Sequence, residues 1–266
     1  MDRFVNDKDY ELINKDRCSF YVLNKILHGE CDLILSDHKD IIFCHSTSPY
    51  PLWIWTPDNA SIDVYEKVWN LIQEYKPFLS SYRYNIKYGL ADYLIKKGKE
   101  NNINIEMFEE LCAYECDNPI KPNFVEDGYL YKCTSDDFDE ALKMFIDFNY
   151  SIDRKEISIE LTKESVRSKI DNETLFFYKN QNDDVVACCS YNIADKTLGS
   201  IGPVYTKPEY RRRHYAQFMV YHITTMIKEK GFTPMLYTNA NYVASNECYK
   251  KIGYKLKGRL CTIYSK

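Results

Sequence analysis

The run Val204-Tyr205-Thr206-Lys207-Pro208-Glu209-Tyr210-Arg211-Arg212-Arg213-His214-Tyr215-Ala216 constrains this chain more than any other stretch. A β-type segment ends in Thr-Lys-Pro and three arginines follow. An amphipathic helix then starts near Tyr215 and runs to about Lys230, where Gly231 stops it. Unpaired helix N–H groups, the positive end of a helix dipole and basic side chains therefore meet at one place, which suits a phosphate or pyrophosphate. The strand leading in contains Gly202-Pro203. Proline removes a ladder donor and glycine permits a bulge, so this strand is expected to part from a neighbour there.

Charge separates that basic spot from a general polyanion surface. Lys and Arg number 35 against 39 Asp and Glu, a net charge of −4, so nucleic acid is not an expected partner. The acidic balance is compatible with a cationic amine. The 266 residues exceed what one core usually needs and suffice for two domains. The ten cysteines form no pair of CxxC knuckles, and the five histidines complete no zinc pattern. The start Met1-Asp2-Arg3-Phe4-Val5-Asn6-Asp7 is charged and has no apolar segment, which points to reduced thiols and a cytoplasmic location. No apolar run approaches the ~20 residues of a membrane span.

Periodicity divides the chain in two. The expected domains are 1–125 and 126–266, joined through the polar, proline-containing segment Asp117-Asn118-Pro119-Ile120-Lys121-Pro122-Asn123. The first half reads as a helix over 10–27, strands over 40–45 and 52–56, a helix capped by Ser61 and a helix over 87–97. It shows no chemical motif. The second half reads as a strand over 129–133, a helix capped by Thr134 or Ser135, a helix over 158–170, and strands over 174–178, 185–192 and 197–206. Turn signals stand at Asn180–Asp184 and Ala194–Lys196. The arginine loop and its helix come next, followed by a strand over 235–238, a short helix over 245–251 and a strand over 254–263. The order is β-α-α-β-β-β-α-β-α-β.

That order, the loop and the run Ser245-Asn246-Glu247-Cys248-Tyr249-Lys250-Lys251-Ile252-Gly253-Tyr254 together resemble the GNAT superfamily of N-acetyltransferases, over roughly residues 129–265. The resemblance implies an α/β (α+β) fold: a central, mixed, mostly antiparallel, splayed sheet flanked by helices, beside an N-terminal α/β domain. The latter is a candidate degenerate copy of the same fold. The family's loop reads Gln/Arg-x-x-Gly-x-Gly/Ala. Arg211 fits the first position and Ala216 the last, while His214 stands where glycine is usual. The His214 side chain must then point away from the phosphates, and a helix start is expected to have negative φ there.

By resemblance the cofactor is acetyl-CoA (coenzyme A). Arg211, Arg212, Arg213, His214, Tyr215 and Ala216 would cradle its pyrophosphate, and the backbone of Val204, Tyr205 and Thr206 would hold the pantetheine arm. Asn246 would bond the pantetheine amide, with Ser245 as a helix N-cap. Tyr249 would be the general acid that protonates the departing thiolate, and the Val204 N–H would polarise the thioester carbonyl. The strand before the loop has no carboxylate, so the general base stays open among Asp153, Glu156, Tyr191 and His222. The expected acceptor is a small-molecule or peptide amine, and a homodimer is an allowed assembly. Two alternatives stand beside this reading. One is a non-catalytic acyl-CoA sensor, the other transfer of a larger acyl group to an amino acid.

Overall fold

The computed structural model describes residues 1–78, 82–154, 157–193 and 197–266. Its elements are, in chain order, α1 (Asp7–Asn14), α2 (Tyr21–Leu27), β1 (Leu33–Ser36), β2 (Ile42–His45), β3 (Leu52–Trp55), α3 (Ile62–Tyr75), β4 (Arg83–Ile86), α4 (Tyr88–Glu100), β5 (Ile105–Glu115), β6 (Tyr129–Lys132), α5 (Phe138–Ser151), α6 (Ile159–Asp171), β7 (Leu175–Lys179), β8 (Val185–Ile193), β9 (Leu198–Thr206), α7 (Tyr215–Glu229), β10 (Thr233–Asn239), α8 (Val243–Ile252) and β11 (Lys255–Ser265). This is the mixed α/β architecture expected, with mostly antiparallel strands. No helix among the described residues is long and apolar enough to cross a membrane. Among the described residues, which include all ten cysteines, there is no disulfide, and all the cysteines but Cys31 and Cys248 are buried.

The chain forms two compact units. One comprises Met1–Ala113, Thr238–Asn241 and Leu256–Lys266; the other comprises Tyr114–Tyr237 and Tyr242–Lys255. In the first unit the strands lie in the order β1-β2-β3-β4-β11-β5. β1, β2 and β3 form an antiparallel meander, β3 pairs parallel with β4, and β11 pairs antiparallel with β4. The helices α3 and α4 cover this sheet with Val68, Ile72, Leu90 and Leu94, which pack with Phe43, Ile54, Tyr84 and Ile263. Ser61 caps α3 as expected, its side chain accepting from the Val64 N–H.

The second unit has the strand order β10-β9-β8-β7-β6. β7, β8 and β9 form an antiparallel meander, β9 pairs parallel with β10, and α7 makes the crossover between them. Its core joins Ala141, Phe145 and Val166 of α5 and α6 to Phe177, Cys188 and Tyr205 of the sheet. Thr134 makes a capping box with Asp137, and Ser158 caps α6. The Asn180 side chain accepts from the N–H groups of Asn182 and Asp184, which closes the β7–β8 turn. The Ala194–Lys196 turn falls outside the described residues.

The two halves of the sequence share an internal order: two helices, a three-stranded antiparallel meander, a helix, a parallel strand, a helix and a further strand, the last of the second half being β11. In the second unit β6 precedes this series and pairs with β7. In the first, Asp2 exchanges both backbone hydrogen bonds with Ser36 at 2.8 and 2.9 Å. That single bridge stands where the other unit has a whole strand.

Two expectations on local structure change. The helix read over 10–27 is two helices, because Asp16 leaves the helical path and its carboxylate accepts from Trp55 Nε1 at 2.9 Å and Lys87 Nζ at 2.6 Å. Ser245 is not an N-cap: α8 starts earlier, at Val243, and has no side-chain cap.

Candidate functional site

The site starts where β9 loses one neighbour. β9 and β10 are in register from Leu198↔Thr233 to Ile201↔Leu236, and Gly202-Pro203 comes directly after. Gly202 takes φ +149°, a backbone conformation open to glycine and costly for other residues. Its carbonyl accepts from Ser190 Oγ at 2.6 Å, and the β8–β9 register shifts between Cys189 and Tyr191. Beyond this bulge Val204, Tyr205 and Thr206 pair with Cys189, Cys188 and Ala187 of β8. Their register with β10 has ended, so the backbone groups on that side are available to a ligand.

A 3-10 turn over Pro208–Tyr210 leads from β9 into the arginines. Arg211 Nε donates to the Thr206 carbonyl at 3.0 Å, with its guanidinium carbon 5.9 Å from the Tyr205 ring centroid. The Arg213 guanidinium carbon lies 5.9 Å from the Tyr210 ring centroid. All three arginines are exposed. The N–H groups from Arg212 to Gln217 have no hydrogen-bond partner among the described residues; the first amide to enter the helix ladder is Phe218, which donates to His214. No acidic residue stands in the first turn of α7 to compete for its positive end. Six successive free amides, three exposed arginines and a helix N-terminus thus follow one another over Arg211–Gln217, an arrangement whose chemistry suits an anion.

The backbone at His214 corrects the sequence expectation. His214 is left-handed, at φ +63° and ψ 3°, and Arg212 is left-handed as well, at φ +66°. The loop keeps the conformation a glycine would adopt but builds it with a residue that reaches this region less readily. The imidazole of His214 has two neighbours among the described residues. It stacks on Phe124, with centroids 3.9 Å apart and planes at 17°, and its Nδ1 lies 3.3 Å from Gln217 Oε1. Tyr215 is buried, its hydroxyl donating to Asp127 at 3.1 Å, so it acts here through its N–H. Ala216 is half-buried and presents a small side chain at the first turn.

The helix α8 carries Asn246 and Tyr249 on its buried side. Asn246 is only 6% exposed; its Oδ1 accepts from the Tyr114 hydroxyl at 3.1 Å and its Nδ2 donates to the Tyr242 carbonyl at 2.9 Å. Tyr249 is 8% exposed and its hydroxyl has no hydrogen-bond partner among the described residues. Its neighbour Tyr254, by contrast, shares a 2.7 Å hydrogen bond with Thr224. Burial pushes the Tyr249 phenol well above its ordinary pKa, with the Cys248 and Cys189 thiols adding to the rise. Tyr249 is therefore a neutral, unengaged O–H donor near Cys189 of β8.

The candidates for a base are dispersed. Tyr191 is buried and stacks on Phe176, and His222 donates toward Glu126 Oε1 at 2.5 Å, the same oxygen that accepts from Tyr178 at 2.9 Å. Asp153 is a left-handed residue in the turn after α5, and Glu156 lies outside the described residues. Sequence reasoning missed Phe124, Asp127 and Tyr114, each of which buttresses a site residue across a long chain separation. Only the Glu126-Asp127 pair beside the prolines hinted at them.

The equivalent place in the first unit differs in charge. Past the ends of β3 and β4 lies a cavity of about 330 Å³ lined by Asp16, Asp58, Lys87, Tyr88 and Arg259 among others. Lys87 Nζ is held at 2.6 Å by both Asp16 and Asp58. The β3–α3 connection thus presents a carboxylate where the β9–α7 connection presents arginines.

Comparison with known proteins bears on the fold. Residues 178–262 match the model of the family described as FR47-like protein. No curated protein sequence matches the chain. Among solved structures, a Drosophila protein superposes with a TM-score of 0.67 at 11% identity, covering 98% of this chain and 91% of that one. A GCN5-related N-acetyltransferase from Kribbella flavida gives 0.61 at 12% identity, covering 94% of each chain. A GNAT-family acetyltransferase from Colwellia psychrerythraea gives 0.58 at 12%, covering 94% of this chain and 96% of that one. The chain has the fold of the GNAT acetyltransferases, and the stretch that matches the FR47-like family holds its split strand, its arginine loop and Tyr249.

Proposed function

We propose that the chain is an acetyl-CoA-dependent N-acetyltransferase that moves the acetyl group to a primary amine by direct attack in a ternary complex. The observation that carries this reading is the row of six free amides, Arg212 to Gln217, at the start of α7 beside a strand that has just lost its β10 pairing. Residues of this kind fit coenzyme A. The loop amides and the guanidinium groups of Arg211, Arg212 and Arg213 would hold the pyrophosphate. The unpaired side of Val204, Tyr205 and Thr206 would align an amide-bearing arm as a further strand does.

When bound, acetyl-CoA supplies an activated thioester. The chain's own residues do the rest. Val204 N–H polarises the carbonyl oxygen, where negative charge grows as the amine nitrogen attacks. Tyr249 Oη would give its proton to the sulfur as the C–S bond breaks and regain the one that the acylated nitrogen loses, by way of solvent, and burial keeps the phenol protonated before the step. Asn246, with two groups of its amide already engaged at Tyr114 and Tyr242, anchors α8 and keeps Tyr249 in position.

Isothermal titration with acetyl-CoA, then thiol release over a panel of amines and amino acids, tests the reading. Binding with turnover is expected. Binding without turnover on any acceptor would favour an acyl-CoA sensor. Turnover only with longer acyl-CoA and an amino acid would favour the larger-acyl alternative. No binding would overturn the proposal.

A further inference from the structure

The connection between β5 and β6 has no regular structure, yet it is tied to the second unit along its length. Ile120 N–H donates to the carbonyl of Ile252, at the end of α8, at 2.7 Å. Next to it Gly253 approaches the Asn118 carbonyl so closely that a Cβ there would lie 2.5 Å from it. Further on, Phe124 stacks on His214, Glu126 accepts from Tyr178 and His222, and Asp127 accepts from Tyr215. The segment therefore runs from the end of the Tyr249 helix to the start of α7 and touches both halves of the candidate site from outside. Pro119 and Pro122 stiffen it.

Phe124 is 52% exposed, and among the described residues its ring stacks on the His214 imidazole. That imidazole belongs to the residue held at φ +63°, and such a conformation persists in a non-glycine residue when its surroundings fix it. We infer that Phe124 is a positioning residue for the phosphate loop: its ring clamps His214, and the clamp holds the amides of Arg212 to Gln217 outward in place of the usual glycine. The ligand in this inference rests on the functional reading above; the ordering of the loop does not.

The test is a double-mutant cycle between Phe124 and His214 with two readouts. Amide hydrogen exchange at Phe218, whose N–H donates to the His214 carbonyl, is followed in ligand-free protein, and the dissociation constant for acetyl-CoA is measured by calorimetry. Phe124→Ala is expected to speed exchange about tenfold and weaken binding about five- to tenfold, while Phe124→Tyr, which keeps the stack, restores both. In a His214→Gly background, removal of Phe124 should change binding less than about twofold, because glycine takes the left-handed conformation unaided. Unchanged exchange in Phe124→Ala, or an equal loss with glycine at 214, would overturn the clamp. Failure of the wild type to bind acetyl-CoA would instead overturn the functional reading, and exchange alone would then decide on Phe124.

Discussion

Tyr249 lies on the buried side of α8 with a hydroxyl that engages no other described residue, and burial of the ring keeps it neutral. Tyr249→Phe removes one oxygen and leaves the ring packed. Turnover of the proposed reaction should fall on the order of 10²-fold with acetyl-CoA affinity nearly unchanged, read from steady-state rates beside calorimetry; an unaltered rate would remove Tyr249 from the chemistry. A second polar residue works on stability. His38 Nδ1 lies 2.6 Å from Asp9 Oδ2 and Nε2 lies 3.0 Å from Asp2 Oδ2. Asp9 is fully buried and also accepts from Ser36 Oγ at 2.5 Å and from the Asn6 N–H at 2.8 Å. The hydrogen bond to Asp9, chiefly, raises the His38 pKa against an opposing desolvation, and Asp2 adds to the rise. A raised cationic pKa contributes stability that is complete below the unfolded value of about 6.5 and is lost as pH climbs through the folded value. Thermal melts at about pH 6 and pH 9 should therefore show a larger loss in the wild type than in His38→Asn, since asparagine tolerates the positive φ at this position. Equal losses would mean that His38 is only a neutral hydrogen-bonding partner.

The helix α8 ends on Gly253, whose φ of +102° lets its N–H and that of Tyr254 reach back to the carbonyls of Lys250 and Tyr249. Gly253→Ala meets both a left-handed penalty and the nearby Asn118 carbonyl, so urea melts should report a loss of about 2 kcal/mol; a change within error would show that the 118–120 segment gives way freely. Such an end was readable in advance, because glycine after an apolar helical run has a local cause. The same holds for the Ser61 cap, the Asn180 turn and the Gly202-Pro203 bulge. What could not be read were elements whose cause lies elsewhere in the chain. β5 is rich in Glu, Met, Leu and Ala, residues that favour helices, and it is a strand because partners are there to pair with it. β4, Arg83-Tyr84-Asn85-Ile86, has no apolar run like those that mark the equally short β2 and β3. The break after α1 follows from Trp55 and Lys87, and the left-handed His214 from Phe124, contacts that no window of sequence contains. For the same reason the anion loop was legible as a pattern of residue types, while the conformation that frees its amides was not.

At the scale of the whole chain, order in sequence and membership of a unit part company at the C-terminus. β11 closes the motif series of the second half, yet its residues from Leu256 onward belong to the first unit. There Cys261, Thr262, Ile263 and Tyr264 pair with Ile86, Asn85, Tyr84 and Arg83 of β4. Cys261 and Ile263 are fully buried in the core with Tyr84 and Leu90, and Thr262 Oγ1 donates to Asn85 Oδ1 at 2.6 Å. The first unit therefore completes its sheet only when the last residues of the chain exist, which makes its folding dependent on long-range closure rather than on local order. Removing residues 256–266 should leave one edge of β4 unpaired and expose the apolar residues that β11 covers, a combination that favours aggregation. A graded version is gentler: Ile263→Ala deletes buried methyl groups without cutting the strand and should cost about 2–4 kcal/mol. Hydrogen exchange by mass spectrometry separates the outcomes. Loss of protection at Arg83–Ile86 in the Ile263→Ala protein, with β7 and β8 retaining theirs, is the expected result. Wild-type protection of β4 in that variant would mean that the first unit is stable without its C-terminal strand fully packed. The resemblance in element order between the two halves of the sequence would then reflect an independently stable fold rather than one completed from the far end of the chain.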